Sequence, residues 1–196
     1  MIKFFNPENK AYETIIDNVI LPENLVKFEK WVEENRDEVK SAVVVTDDEN
    51  ESTKKSIRDS AIAWVQHNEL TADFYDNITR VALNVNNQKY NFNLQYLEIL
   101  QYGEYSVDGH YDWHADDVLR SDNNDARKLS FSLLISDDDE YEGGELEFYG
   151  PGGIYNFKPK RNQAVFFPSF NLHRVAPVTS GLRKSVVGWI RGPDFV

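Results

Sequence analysis

The chain has 196 residues, no cysteine, and 21 Lys+Arg against 33 Asp+Glu, a formal net charge of −12. That is the length of one domain, and 41% hydrophobic with 13% aromatic residues excludes a wholly disordered chain. The missing cysteines exclude disulfides, thiolate metal sites and a Cys nucleophile, while the acidic balance argues against nucleic-acid and anionic-membrane partners, whose phosphates call for basic surface.

The amino terminus, Met1 to Pro7, lacks the apolar stretch of a signal peptide, and no run approaches the roughly 20 apolar residues of a membrane span. A soluble, cytoplasmic or otherwise intracellular protein is expected. With no internal repeat and no Pro- or Ser-rich linker, residues 1–196 read as a single domain, 1–90 mainly helical and 91–192 a β core.

In chain order, Leu21, Leu25, Phe28 and Val32 keep a helical spacing, with Pro22 suited to a first turn. The acidic run Asp47 to Glu51 reads as a solvated loop. Ile57, Ala61, Trp64 and Val65 predict a second helix, and Leu70, Phe74, Ile78, Val81, Ala82 and Val85 a third. His67 falls in a helical segment and reads as a surface or helix-end histidine. After residue 90 the period becomes two: Phe92, Leu94 and Tyr96; Leu129, Phe131, Leu133 and Ile135; Leu146 and Phe148. Val165–Phe167 and Val186–Ile190 are short buried-strand runs. Gly143-Gly144, Pro151-Gly152-Gly153, Pro168-Ser169 and Ser180-Gly181 are turn signals. Helices first and strands later give an α+β class, with a jelly-roll core and amino-terminal helices packed outside.

A cysteine-free chain binds a transition metal through imidazole and carboxylate. Two of the four histidines open His-x-Asp triplets, His110-Tyr111-Asp112 and His114-Ala115-Asp116. On a strand, residues i and i+2 share a face, so either triplet offers one nitrogen and one oxygen to one point. His173, the only downstream histidine, would complete a 2-His-1-carboxylate set with open positions, which suits non-heme Fe(II). Arg183 follows ten residues later, past the Ser180-Gly181 turn, where a guanidinium would clamp a carboxylate.

The ordered motifs Tyr105 to Asp116, Arg127 to Ile135, Glu142 to Leu146, Phe166-Phe167-Pro168, His173 to Val178, Gly181 to Ser185 and Trp189 resemble the Fe(II)/2-oxoglutarate-dependent dioxygenases, in particular the prolyl 4-hydroxylase-like branch, across about residues 90 to 192. The resemblance implies a double-stranded β-helix core. It implies Fe(II) held by His114, Asp116 and His173. These are preferred over the His110 triplet because they keep the spacing from Tyr105 and Tyr111. It further implies 2-oxoglutarate held by Arg183 and Tyr105, a target prolyl group framed by Tyr111, Arg127 and Trp189, O2 as cosubstrate and ascorbate as reductant. Collagen-type members carry Lys where Arg183 stands, which bears on the subfamily.

The implied reaction hydroxylates a peptide or protein substrate containing proline, with decarboxylation of 2-oxoglutarate to succinate and CO2. Alternatives are a lysyl, free amino-acid or other small-molecule substrate, and, from another class, a non-catalytic jelly-roll binding module. The charge of −12 weighs against a nucleic-acid demethylase and leads one to expect that a charged peptide substrate is basic. The polar segments Asn84–Asn91 and Asp117–Asp125 are candidate lids.

Overall fold

Period-two segments in this chain have two different faces to satisfy, and the computed structural model shows how. It describes residues 12–42, 56–117 and 125–194. The strands in chain order are β1 (Thr14–Ile16), β2 (Lys40–Ser41), β3 (Arg58–Asp59), β4 (Ala61–Val65), β5 (Tyr96–Leu97), β6 (Leu100–Tyr105), β7 (His110–His114), β8 (Asp125–Leu134), β9 (Tyr141–Gly143), β10 (Leu146–Gly150), β11 (Gly153–Phe157), β12 (Ala164–Pro168), β13 (His173–Val175), β14 (Val178–Gly181) and β15 (Arg183–Pro193). The helices are α1 (Pro22–Glu34) and α2 (Ala72–Val85).

The larger sheet runs β1-β12-β8-β15-β6-β4-β2, with β5 also on β15. The smaller runs β11-β10-β13-β7-β3, and β9 pairs with β14 as a separate ribbon. Tyr105, Val165 and Phe167 from the larger sheet pack with Leu146, Phe148 and Val175 from the smaller. The two sheets thus face each other as the expected double-stranded β-helix, with α1 and α2 on the outside.

Alternation in β8 assigns the faces. Leu129, Phe131 and Leu133 join Phe28, Phe74 and Ile78 of the helices in one core. Ser130 and Ser132 point the other way, toward the smaller sheet. In β15, Val186 and Ile190 go to the helices, while Ser185, Val187 and Trp189 line the space between the sheets. The apolar stripe of the larger sheet therefore receives the helices, and its more polar stripe is left for a site. Phe28 stacks on Phe74 with ring centres 4.2 Å apart, a geometry worth about 0.5–1.5 kcal/mol beyond the area it buries.

Three expectations change. The helix expected over 57–65 is instead β3 and β4. Ala63 and Val65 are buried against the helices while Trp64 points to the opposite face, toward the cavity, a strand's alternation, and pairing with β6 and β2 decides a run too short for periodicity to settle. His67 accordingly lies just past β4, its ring 5.3 Å from Tyr75. The strand expected from Phe92 begins only at Tyr96, and Phe92 and Leu94 pack on the helical core as extended chain.

The candidate lid Asn84–Asn91 is the end of α2 continued by a wide helical turn over Asn86–Tyr90 and closed by Asn91 at φ 54°. Buried Asn86 bonds the backbone of Phe92 at 2.9 and 3.0 Å, and the Tyr90 hydroxyl donates to the Phe166 carbonyl at 3.0 Å. These contacts fix the segment to the helical side of the sheet. The body of the other candidate lid, residues 118–124, lies outside the described residues, as do Met1–Pro7 and the acidic run Asp47 to Glu51.

Candidate metal centre

β7 and β13 are antiparallel neighbours, with His114 opposite His173 and Tyr111 opposite Val175. Between these pairs two residues of β7, Asp112 and Trp113, stand opposite one of β13, Arg174, a β-bulge that re-aims side chains. Tyr111 and His114 end up stacked, ring centres 3.7 Å apart, and both line the cavity between the sheets. Asp112 is exposed. The His110 ring nitrogens face the carbonyls of Asp108 at 2.9 Å and Ser56 at 3.1 Å. Burial pulls the His110 pKa down, but those carbonyls raise it above the ordinary value. The two triplets that look alike in sequence are therefore placed differently, and only His114-Ala115-Asp116 brings its histidine and its aspartate into the cavity.

There, His114, Asp116 and His173 each offer a ligand atom, all within 4.8 Å of one another. His114 Nε2 lies 3.6 Å from Asp116 Oδ1, and His173 Nε2 3.7 Å from Asp116 Oδ2. His114 Nδ1 donates to the Asp112 carbonyl at 2.7 Å, and His173 Nδ1 to the Asn171 carbonyl at 2.9 Å. These bonds fix both tautomers with the Nε2 lone pair facing Asp116, the arrangement a metal-binding imidazole needs. Burial, and then the His173 ring beside it, push the His114 pKa well below the ordinary histidine value in spite of Asp116, which keeps the imidazole neutral. Asp116 is held by its backbone, whose N–H donates to the Ser169 carbonyl at 2.8 Å. Two imidazoles and one carboxylate converging from one side suit a divalent ion with open positions.

The cavity, about 450 Å³, continues to Arg183, which is 1% exposed. Its Nη1 donates to Ser185 Oγ at 2.9 Å, while Nε and Nη2 have no acceptor among the described residues. Buried donors left unpaired cost about 1–3 kcal/mol or more, and these two form the edge of a guanidinium that grips a carboxylate bidentately. Tyr105 faces Arg183 across β6 and β15, its ring centre 5.5 Å from the guanidinium carbon.

Sequence reasoning passed over Tyr141, which is buried against Arg183. Burial raises its pKa and the neighbouring Arg183 lowers it. The glycine pair reads in the sequence as a turn signal and as part of the Glu142 to Leu146 motif, with no tie to Arg183, yet a Cβ on Gly144, at φ 63°, would sit 2.8 Å from Arg183 Cδ. The arginine is seated against a residue that has to lack a side chain.

The proposed substrate residues also line the cavity, with one difference. Arg127 is engaged, with Nε and Nη2 donating to Glu98 at 2.8 and 2.6 Å, and its guanidinium carbon lies 3.9 Å from the Trp189 ring centre. Arg191 also donates to Glu98 at 2.5 Å and to Asp125 at 2.7 Å. Burial works against a charge on Glu98, but the two arginines hold its pKa below the ordinary carboxylate value. Two further residues reach the cavity from the misassigned 57–65 segment. Trp64 is 44% exposed with its ring 6.5 Å from Trp189, and Arg58 lies over Tyr111. Neither carries a sequence signal, since only the register of β3 and β4 brings them in.

Residues 98–191 match the family model described as the 2OG-Fe(II) oxygenase superfamily. A PKHD-type hydroxylase of Synechococcus sp. (strain CC9311) is 43% identical over 83 residues, 42% of this chain and 37% of that protein. One from Maricaulis maris (strain MCS10) is 44% identical over 81 residues, 41% of this chain and 36% of that protein. The matched region thus spans well under half the length of these relatives. Among solved structures, a Pseudomonas putida prolyl-4-hydroxylase superposes with TM-score 0.69 at 23% identity, covering 91% of each chain. A Trichoplax adhaerens prolyl hydroxylase in complex with a hypoxia inducible factor peptide fragment gives TM-score 0.72 at 17% identity, covering 91% of this chain and 82% of that one. At such identities the superpositions establish the fold. The resemblance read from the ordered motifs falls on the same residues as the family match and holds.

Proposed function

We propose that this chain, in which residues 98–191 match the 2OG-Fe(II) oxygenase superfamily, is an Fe(II)- and 2-oxoglutarate-dependent dioxygenase that hydroxylates prolyl residues of a peptide or protein. One observation carries the reading. His114, Asp116 and His173 converge at one end of a cavity whose other polar wall is a buried guanidinium edge with no acceptor among the described residues.

His114, Asp116 and His173 would hold Fe(II), and the donor set fits that ion. Fe(II) with 2-oxoglutarate and O2 supplies the oxidising chemistry: the keto acid loses CO2 to become succinate, one oxygen atom going to succinate and one to a substrate C–H. The chain's own groups do the rest. Arg183 Nε and Nη2 would take the far carboxylate of 2-oxoglutarate, and Tyr105 would flank it. The Nδ1–H bonds to the Asp112 and Asn171 carbonyls would keep both imidazoles turned toward the ion. Tyr111 and Trp189 would frame the target ring, with Arg127 holding Trp189 in place. Ascorbate would serve as reductant.

Incubation with Fe(II), 2-oxoglutarate, ascorbate and proline-rich peptides tests this. Succinate and a peptide heavier by about one oxygen are expected. Succinate without a modified peptide would retain the cosubstrate and reject the prolyl substrate, and lysyl peptides or free amino acids would then be assayed. Absence of both 2-oxoglutarate binding and turnover would favour a binding module.

A further inference from the structure

Most arginines of the described residues are neutralised by a carboxylate. Arg36 meets Glu104, Arg127 and Arg191 meet Glu98, Arg161 meets Glu29, and Arg174 meets Glu147. Arg80 lies on the exposed face of α2. Two remain, both on the cavity wall: Arg183 and Arg58. In a chain with a formal charge of −12, a half-buried cation with no carboxylate in ion-pair contact among the described residues is a position where an acidic ligand can supply the partner.

Arg58 is also held in place. Its Nε donates to Ser60 Oγ and its Nη2 to Gln101 Oε1, each at 2.8 Å. These neutral acceptors orient the guanidinium without cancelling its charge, and Nη1 has no acceptor among the described residues. The guanidinium carbon lies 4.6 Å from the Tyr111 ring centre, and Tyr111 stacks on His114. The cation thus stands one ring away from the metal-side histidine, on the wall that also carries Trp64.

We infer that Arg58 binds a carboxylate of the substrate, so that the substrate carries an acidic group close to the hydroxylated carbon. This rests on the dioxygenase reading above. It reverses the expectation of a basic peptide drawn from net charge, because a planar guanidinium at contact outweighs dispersed surface charge that salt screens beyond about 8 Å. The carboxylate has two possible sources: an Asp or Glu side chain near the target in a peptide, or the α-carboxylate of a free amino acid or chain end.

The test is binding to the Mn(II)- and 2-oxoglutarate-loaded protein, followed by calorimetry. Probes are blocked peptides with a central Pro carrying Asp or Asn at each flanking position, and free proline against prolinamide. Wild type is expected to bind one acid probe roughly tenfold or more tighter than its amide twin, as for a charge-assisted pair. Arg58→Gln should erase that ratio, and Arg58→Lys should keep part of it, retaining charge but losing the fork. The ratio cancels any general loss of folding from the variant. An Asp position identifies the peptide source, and free proline over prolinamide the α-carboxylate. No acid preference in wild type, or one that survives Arg58→Gln, overturns the inference. Failure of the dioxygenase reading shows separately, as no Mn(II) or 2-oxoglutarate binding and no succinate.

Discussion

Tyr111 and His114 are three residues apart on one strand and yet stack face to face at 3.7 Å, because β7 carries one more residue than β13 between the pairs Tyr111–Val175 and His114–His173. A regular strand would have put His110, Asp112 and His114 on one face. The bulge separates them, and the choice between two identical-looking triplets follows from it.

His114→Ala, Asp116→Ala and His173→Ala are each expected to abolish succinate formation and to weaken Mn(II) binding, read by calorimetry, by at least about a hundredfold, since each removes a ligand from a three-ligand set. His110→Ala should leave Mn(II) affinity within about threefold, because both of its ring nitrogens already face backbone carbonyls. A large loss of Mn(II) affinity in His110→Ala would overturn the assignment.

Gly144→Ala tests the seat of Arg183. A Cβ 2.8 Å from Arg183 Cδ, at φ 63°, forces the guanidinium to move and strains the backbone by about 1–3 kcal/mol. The expected result is a KM for 2-oxoglutarate raised roughly tenfold with Mn(II) affinity retained, along with a lower melting temperature. Unchanged KM would mean that Arg183 does not hold the cosubstrate.

Glu98 binds two arginines in a partly buried network, so Glu98→Gln leaves both short of a charge partner and is expected to cost about 3 kcal/mol at neutral pH. The pH dependence has a definite sign. The folded pKa of Glu98 lies below the ordinary carboxylate value of 4.5, so its contribution is present above that value and is lost as pH falls through the lower folded pKa. The gap in melting temperature between wild type and Glu98→Gln should therefore be widest near neutrality and shrink below about pH 4.5. The variant should also raise KM for a peptide more than KM for 2-oxoglutarate, because Arg127 would no longer be held on Trp189.

The order of motifs made the β core and the converging residues legible in the sequence, since iron-type ligand sets and a carboxylate-binding arginine leave residue types at characteristic spacings. What stayed hidden depends on register. Arg58 and Trp64 sit in a short run whose apolar spacing imitates a helix, and only pairing with β6 and β7 brings them to the cavity. The engagement of Arg127 by Glu98 is invisible for the same reason, being a contact across 29 residues of chain. Alternation in β8 was readable, but which face meets the helices is decided by what packs there.

The last relationship runs from the amino-terminal strand region to the metal side. Buried Glu13 accepts from Asn171 Nδ2 at 2.6 Å and from the Tyr155 hydroxyl at 2.9 Å. The carbonyl of the same Asn171 accepts from His173 Nδ1 at 2.9 Å. Glu13 thereby anchors the turn whose backbone orients a metal-side imidazole. Outer contacts of this kind typically cost 10–100-fold in metal affinity when removed. Asn171→Ala keeps the carbonyl but loses the anchor, so Mn(II) affinity is expected to fall roughly tenfold. Glu13→Gln, which can still accept from Asn171, should fall less. A merely structural role would lower the melting temperature in both variants without changing Mn(II) affinity, and that outcome would remove Glu13 and Asn171 from the metal side of the molecule.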